Sequence, residues 1–188
     1  MKIKTLVGLF TAAALSMSVA TTAVADDKVL LKLPVWFGTH LTGLGSSPLY
    51  FADRVNWASG GSVKVKVYEP GKLVANGEML ESVSNGSVNA GWGTPGYNTG
   101  LLGKKAAIFS AVPFGPEAGE FMAWVYYGGG RELWQKLYDD AGYNVHAVPC
   151  SIIAPETSGW FTKEINSAAD LDGLRMRFFG LGANVMEK

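Results

Sequence analysis

Strand-like and helix-like segments alternate along the sequence after residue 28, and this alternation constrains the fold more than any other feature. In Val63–Tyr68, three valines alternate with lysine and tyrosine, a period of two that indicates a strand with one polar face. Residues 29–37 form an apolar run that predicts a buried strand. Residues 48–58 place apolar side chains at helical spacing before Gly60 and Gly61, which favours a helix that ends there. The alternation predicts an α/β fold, with a parallel or mixed sheet and helices on both faces.

The same criteria predict the other elements. The remaining predicted strands cover residues 88–92, 107–112, 143–149, 158–161 and 174–179. A helix is predicted at residues 76–84 with Asn76 as its cap, and one or two helices lie within 117–138, separated by Gly128, Gly129 and Gly130. A short helical turn is predicted at 166–171, capped by Asn166 or Ser167. An amphipathic helix is predicted to begin at 181–188.

The N-terminus has the pattern of a secretory signal peptide. Lys2 and Lys4 precede the apolar residues 6–20, which are too few to span a bilayer comfortably. Small residues at 23–25 supply a cleavage site, so cleavage is predicted after Ala25. An uncleaved N-terminal membrane anchor is the alternative interpretation.

Composition excludes some classes of function. Removing residues 1–25 takes two of the 16 basic residues and none of the 16 acidic ones, which leaves a net charge of −2. Such a chain lacks the basic stripe of a nucleic-acid-binding protein. Cys150 is the only cysteine, so no internal disulfide can form, and we expect a small buried side chain.

Residues 91–96 match the pattern G-x-G-x-x-G after a predicted strand. A dinucleotide site would need these glycines to open a helix in a βαβ unit, and a lone match is a weak signal. Alternatively, the loop lines a cleft at a strand end, with Trp92, Tyr97 and Asn98 as its walls. In a third interpretation the glycines only form turns and Trp92 lies in the core.

Catalytic patterns are weak in this sequence. The only histidines, His40 and His146, are far apart, and there is no G-x-S-x-G elbow or cluster with metal-ligand spacing. An exported α/β-class enzyme such as a hydrolase remains as an alternative.

Arg177 is the first candidate for holding an anion. On a strand it would lie opposite Met176 and Phe178, because side chains alternate. A charged group within an apolar strand needs a partner, and a guanidinium fits a carboxylate. That partner is either a ligand or Glu156, in a plain salt bridge.

The sequence resembles the solute-binding proteins of TRAP transporters, the DctP-like receptors, from about Val29 to Lys188. The resemblance rests on four segments: E-T-S-G-W-F at 156–161, A-D-L-D-G-L-R-M-R-F at 169–178, F-S-A-V-P-F-G at 109–115 and Y-Y-G-G-G at 126–130. The pattern A-D-L-x-G-L-[KR]-x-R is fairly specific to that family, and the other segments resemble its branch for 2-oxo acids and related monocarboxylates.

The resemblance implies a periplasmic receptor that captures a small organic acid without catalysis and delivers it to TRAP membrane permease subunits. It implies two α/β lobes that close around the ligand. Residues 26–148 would form most of lobe one, and residues 149–188 would begin lobe two. The chain would then be about the first half of a longer protein.

The resemblance also implies roles for site residues. It assigns the anion contact to Arg177 rather than Arg175, and a solute contact to an aromatic residue in the loop at 91–98. At the position of Glu156 the 2-oxo acid receptors commonly have glutamine, so this chain departs from the pattern. A glutamate would repel an anionic ligand unless a cation such as Na⁺ or Ca²⁺ bridged them, as in the oxo-acid branch.

Overall fold

Two parallel strands joined by a helix form the centre of the structure, a computed structural model that describes residues 28–110, 112–153, 159–178 and 180–187. The strands β1 (Val29–Pro34) and β2 (Val63–Tyr68) pair in register, with Val29 opposite Val63, and α1 (Ser46–Ala58) connects them. These three elements confirm the corresponding predictions within a few residues. The predicted signal peptide, residues 1–25, lies outside the described residues.

A hydrophobic cluster lies where α1 covers the sheet. The lysines of β2 are exposed while Val65 is buried, as the alternating pattern predicts. The buried members of this cluster come from both strands, the residue that follows β1, α1 and the segment after α2: Leu33, Val35, Ala52, Val65 and Trp92.

The loop between β1 and α1 is tightly folded. An added Cβ at Gly45 would stand 1.9 Å from the carbonyl oxygen of Gly38, so only glycine fits at that position. Thr39 donates its hydroxyl and its N–H to the carboxylate of Glu69, which directly follows β2. These bonds, the hydroxyl bond first, hold the pKa of Glu69 below its usual value. The loop is therefore fastened to the end of β2.

Five helices follow in the described part of the chain, and all but the last of them contribute to a second buried cluster around Leu80, Phe109 and Leu137. In chain order they are α2 (Met79–Ser84), α3 (Thr99–Leu102), α4 (Ala118–Tyr127), α5 (Gly130–Asp140) and α6 (Gly180–Met186), with 3₁₀ turns at Asn76–Glu78, Pro95–Asn98, Lys104–Phe109 and Ala168–Leu171. The glycine break between α4 and α5 and the helices near 76–84 and 181–188 are confirmed. No helix in the described ranges has the length and apolar character to cross a bilayer.

Asn76 does not have the predicted capping role. It is the first residue of its 3₁₀ turn, and its amide donates to the carbonyl oxygen of Trp36 at 3.3 Å. The side chain therefore ties this turn to the segment after β1.

The strand predicted at 88–92 is reduced to a single parallel bridge between Val35 and Trp92. Upstream of this bridge, the side chain of Asn89 replaces a strand. Its oxygen accepts the N–H of Lys32 at 2.7 Å, and its amide donates to the carbonyl oxygen of Leu30 at 2.7 Å. The free edge of β1 is thus satisfied by a side-chain amide.

The prediction of a strand at 107–112 is wrong. Residues 104–109 form a 3₁₀ helix that buries Ala106, Ala107 and Phe109, and residue 111 lies outside the described residues. A short apolar run fits a strand and a buried helical segment equally well, so the sequence could not separate them.

No strand forms at 143–149 either, although exposure alternates there as in an extended chain. Instead of a neighbouring strand, the side chain of Gln135 on α5 bonds the backbone. Its amide donates to Val145 and its oxygen accepts from Ala147, at 2.8 and 2.9 Å. Cys150 follows and is exposed, so the expectation of a buried cysteine is wrong.

Candidate functional site

An aromatic cluster lies at the carboxyl end of β1. Tyr97 packs edge-on against Trp36, with ring centroids 4.9 Å apart, and its centroid is 6.0 Å from that of Phe37. Gly93 allows this packing, because an added Cβ there would stand only 3.1 Å from the Trp36 ring. Tyr97 is 41% exposed. The cluster thus presents a phenol ring at the strand end, where α/β proteins commonly bind ligands.

The 3₁₀ turn that carries Tyr97 and Asn98 is held by Ser110. The N–H of Gly96 donates to the Ser110 hydroxyl at 2.9 Å, and the buried hydroxyl of Thr94 lies 2.5 Å from the same oxygen. Sequence reasoning did not single out Ser110. The only signal was its place in the segment at 109–115, which carries the resemblance.

The glycine pattern at 91–96 does not form a dinucleotide site. It leads into a 3₁₀ turn and the four-residue α3, not into the helix that a pyrophosphate requires. Gly91 serves packing, since an added Cβ would stand 3.0 Å from the side chain of Met79. Trp92 is 8% exposed and packs 5.6 Å from the Phe51 ring, which places it in the core.

A cavity of about 460 Å³ lies beside the sheet, with Asn98 and Trp92 in its wall. Its described lining is mostly apolar and includes no lysine or arginine. A buried carboxylate needs a charged or hydrogen-bonding partner. The cavity lacks a cationic partner for an anion among the described residues, but it offers hydrogen-bond donors: the amides of Asn98 and Asn144, and the buried indole N–H of Trp36, which has no partner in the described structure.

The second group of candidate residues follows a capped turn. At the start of the 3₁₀ turn at 168–171, one carboxylate oxygen of Asp170 accepts the Asn166 N–H, the Ser167 N–H and the Ser167 hydroxyl, at 3.0, 2.8 and 3.0 Å. These bonds, the Ser167 hydroxyl first, lower the pKa of Asp170. Gly173 leaves the turn with a φ of 73°. The predicted turn and its serine cap are confirmed, and the motif A-D-L-D-G has a structural role.

Arg177 lies in the segment after this turn, and no strand forms at 174–178 or at 159–161. Residues 158 and 179, predicted as strand residues, lie outside the described part. The alternation is as predicted, with Met176 and Phe178 half-buried and Arg175 and Arg177 exposed. The guanidinium of Arg177 has no hydrogen-bond or salt-bridge partner among the described residues. Glu156, and with it the predicted ion pair, lies outside them.

The neighbours of Arg177 in the sequence, Met176 and Phe178, lie close to other parts of the chain. An added Cβ at Gly159 would stand 2.7 Å from Met176, so the two segments predicted as strands approach each other at these two residues. An added Cβ at Gly182 would stand 3.2 Å from Phe178 and 3.8 Å from Pro113. The segment with Arg177 therefore approaches the turn that follows Ser110.

Other catalytic or metal-binding groups are sparse. His40 lies beside Gly38 in the loop after β1, and His146 lines the apolar cavity. In the described part of the chain, no group of three or more His, Cys, Asp or Glu side chains could hold a metal ion.

Residues 39–188 match the family described as DctP, bacterial extracellular solute-binding protein, family 7. The chain belongs to this family. A curated relative, the monocarboxylate 2-oxoacid-binding periplasmic protein of Nostoc sp., is 39% identical over 139 residues, which are 73% of this chain and 37% of that protein.

Solved structures of TRAP solute-binding proteins have the same fold. One from Bordetella bronchiseptica, with calcium and picolinate, superimposes with a TM-score of 0.73 at 28% identity. The match covers 85% of this chain and 47% of the Bordetella chain. One from Colwellia psychrerythraea, with calcium and pyruvate, has a TM-score of 0.69 at 31% identity, and the match covers 85% of this chain and 48% of that chain. One from Pseudoalteromonas atlantica, with sodium and pyruvate, gives 0.68 at 29% identity and the same coverage.

The DctP chain described here thus has the α/β fold of part of a two-lobe periplasmic binding protein, which confirms the predicted fold class. It spans about half the length of these solved structures and 37% of the curated relative. Its family consists of solute-binding proteins.

Proposed function

We propose that this protein is a periplasmic receptor that captures a small organic acid, a 2-oxo acid or a related carboxylate, for a TRAP-type membrane permease. The observation that carries this proposal is the 39% identity to a 2-oxoacid-binding periplasmic protein. The protein binds its ligand without converting it, as the family description of solute-binding proteins suggests. Residues 1–25 direct export and are removed.

Arg177 pairs with the carboxylate of the ligand. Support comes from its exposure and from the absence of an ion-pair partner in the described ranges, which leave its donors available. A guanidinium can form two parallel hydrogen bonds with a carboxylate, which fixes the orientation of the ligand.

The aromatic cluster at the end of β1 forms the opposite side of the site. Tyr97 and Asn98 lie on a turn fixed by Ser110, and Tyr97 is partly exposed. Trp92 supports this wall from the core. In this arrangement residues 26–148 supply the first lobe and residues 149–188 begin the second, so the ligand lies between Tyr97 and Arg177.

A bound cation completes the site through Glu156. Two solved relatives hold calcium and one holds sodium, each with a small carboxylate. The described residues contain no group of three or more His, Cys, Asp or Glu side chains that could hold a metal ion, so Glu156 would bind the cation together with other oxygen ligands. A carboxylate and backbone carbonyls suit either hard cation.

Thermal shift measurements test the proposal on the full protein that the gene encodes. Pyruvate, 2-oxobutyrate, lactate and succinate are each added with Ca²⁺, with Na⁺ or with a chelator. We expect a 2-oxo acid to raise the melting temperature, because a ligand that binds only the folded state stabilises it. NMR of the recovered acid should show it unchanged. No shift with any carboxylate, or conversion of the acid, would contradict the proposal.

A further inference from the structure

A tight turn links the two groups of candidate residues. The N–H of Gly115 donates to the carbonyl oxygen of Val112 at 2.9 Å, with Pro113 and Phe114 at the central positions. Proline sets the backbone of the first central position. Gly115 must be glycine, since an added Cβ would stand 2.8 Å from that carbonyl oxygen. Residues 113–115 are thus matched to a specific turn.

Phe114 is the residue that does not suit this turn. Its φ of 54° is the only positive φ of a non-glycine residue in the described part of the chain. Turns of this kind usually have glycine or asparagine at that position, because a Cβ is disfavoured there. The side chain is also fully exposed, at 104%. Neither the backbone conformation nor the environment in the described structure favours phenylalanine.

The position of the turn suggests what the ring is for. Pro113 lies near Gly182, and Gly182 also lies near Phe178, the residue that follows Arg177. On its other side, the turn follows Ser110, which holds the turn carrying Tyr97. Phe114 therefore lies on a connection between the proposed carboxylate contact and the proposed aromatic wall.

We propose that Phe114 contacts the ligand and determines specificity, with its ring covering the apolar part of a bound 2-oxo acid. This inference rests on the proposed function. The left-handed backbone holds the ring away from the fold, where it can meet the ligand, and such strained residues cluster at binding sites. The ring then selects among small carboxylates by the size of the alkyl group next to the oxo carbon.

The substitution Phe114→Asn separates this role from a structural one. Asparagine tolerates the left-handed conformation, so the melting temperature of the free protein should stay the same or rise. Affinity should fall by roughly tenfold to a hundredfold, the effect of losing one buried aromatic side chain. Phe114→Leu keeps an apolar side chain, so its ligand affinity should fall less than that of Phe114→Asn. Tyr127→Asn removes a ring that is 92% exposed on α4, and should leave affinity unchanged.

Calorimetric titrations with pyruvate, 2-oxobutyrate and 3-methyl-2-oxobutanoate, on the full protein that the gene encodes, supply the readout. We expect the wild-type preference among the three acids to disappear in Phe114→Asn. Unchanged affinity and preference would overturn the inference and leave the proposed function intact. A variant that loses stability together with affinity would also overturn it, because the ring would then belong to the fold. Wild-type protein that binds none of the acids would overturn the proposed function and this inference with it.

Discussion

Replacing Arg177 by alanine should abolish most ligand binding without affecting the fold. The guanidinium is exposed and has no bonding partner in the described ranges, so the free energy of unfolding should change by less than about 0.5 kcal/mol. Removing one member of a desolvated charge pair costs about 2–5 kcal/mol. That corresponds to a loss of affinity of roughly thirty-fold to several thousand-fold. The affinity of Arg177→Lys should lie between those of wild type and Arg177→Ala, since lysine keeps the positive charge but lacks the planar guanidinium.

Arg175→Ala is the matched control, because Arg175 is also exposed and lies two residues away. Its loss should cost about 0–1 kcal/mol of binding, as for an exposed ion pair. Isothermal titration with pyruvate, at constant Ca²⁺, measures all three variants. Full-strength binding by Arg177→Ala, or an equal loss in Arg175→Ala, would refute the assignment of the carboxylate contact.

Three further substitutions test the scaffold around the site. Ser110→Ala leaves the Gly96 N–H without its partner and should cost about 1–3 kcal/mol of unfolding free energy in urea titrations; wild-type stability would contradict the anchoring role. Gly45→Ala should destabilise the fold by about 1–3 kcal/mol or more. The control Gly77→Ala should not, because an added Cβ at Gly77 has no atom within 4 Å. Equal melting temperatures of the two variants would contradict the packing argument. Asp170→Asn should lower the melting temperature at neutral pH. The difference from wild type should vanish as the pH falls below about 3.8, because the hydrogen bonds that lower the pKa of Asp170 stabilise only its ionised form. A difference in melting temperature that does not change with pH would contradict this.

The local elements with a clear period were predictable from the sequence. The alternation in Val63–Tyr68 and the glycines after α1 produced the right strand and the right helix end. The errors came where long-range partners decide the conformation. Residues 143–149 have strand-like alternation, yet their backbone bonds go to the side chain of Gln135. No local pattern shows that a side chain will replace a strand.

The candidate site was predictable in part. The loop with Tyr97 was expected, in one of three interpretations, at the end of a strand at 88–92, but that strand is a single bridge and Tyr97 lies instead at the carboxyl end of β1. The opposite exposure of Arg177 and Met176 was predicted correctly. Ser110 and Phe114 were missed. The role of Ser110 depends on a contact across fourteen to sixteen residues, and that of Phe114 on a backbone angle that phenylalanine rarely adopts. Neither property is visible in composition or spacing.

A crystal structure of the full protein with pyruvate and Ca²⁺ would test the assignment of the carboxylate contact most directly. The account predicts two nearly parallel hydrogen bonds of about 2.7–2.9 Å between the pyruvate carboxylate and the guanidinium of Arg177. It also predicts Tyr97 on the opposite side of the ligand. Pyruvate bound with its carboxylate away from Arg177, or in the apolar cavity beside the sheet, would contradict it.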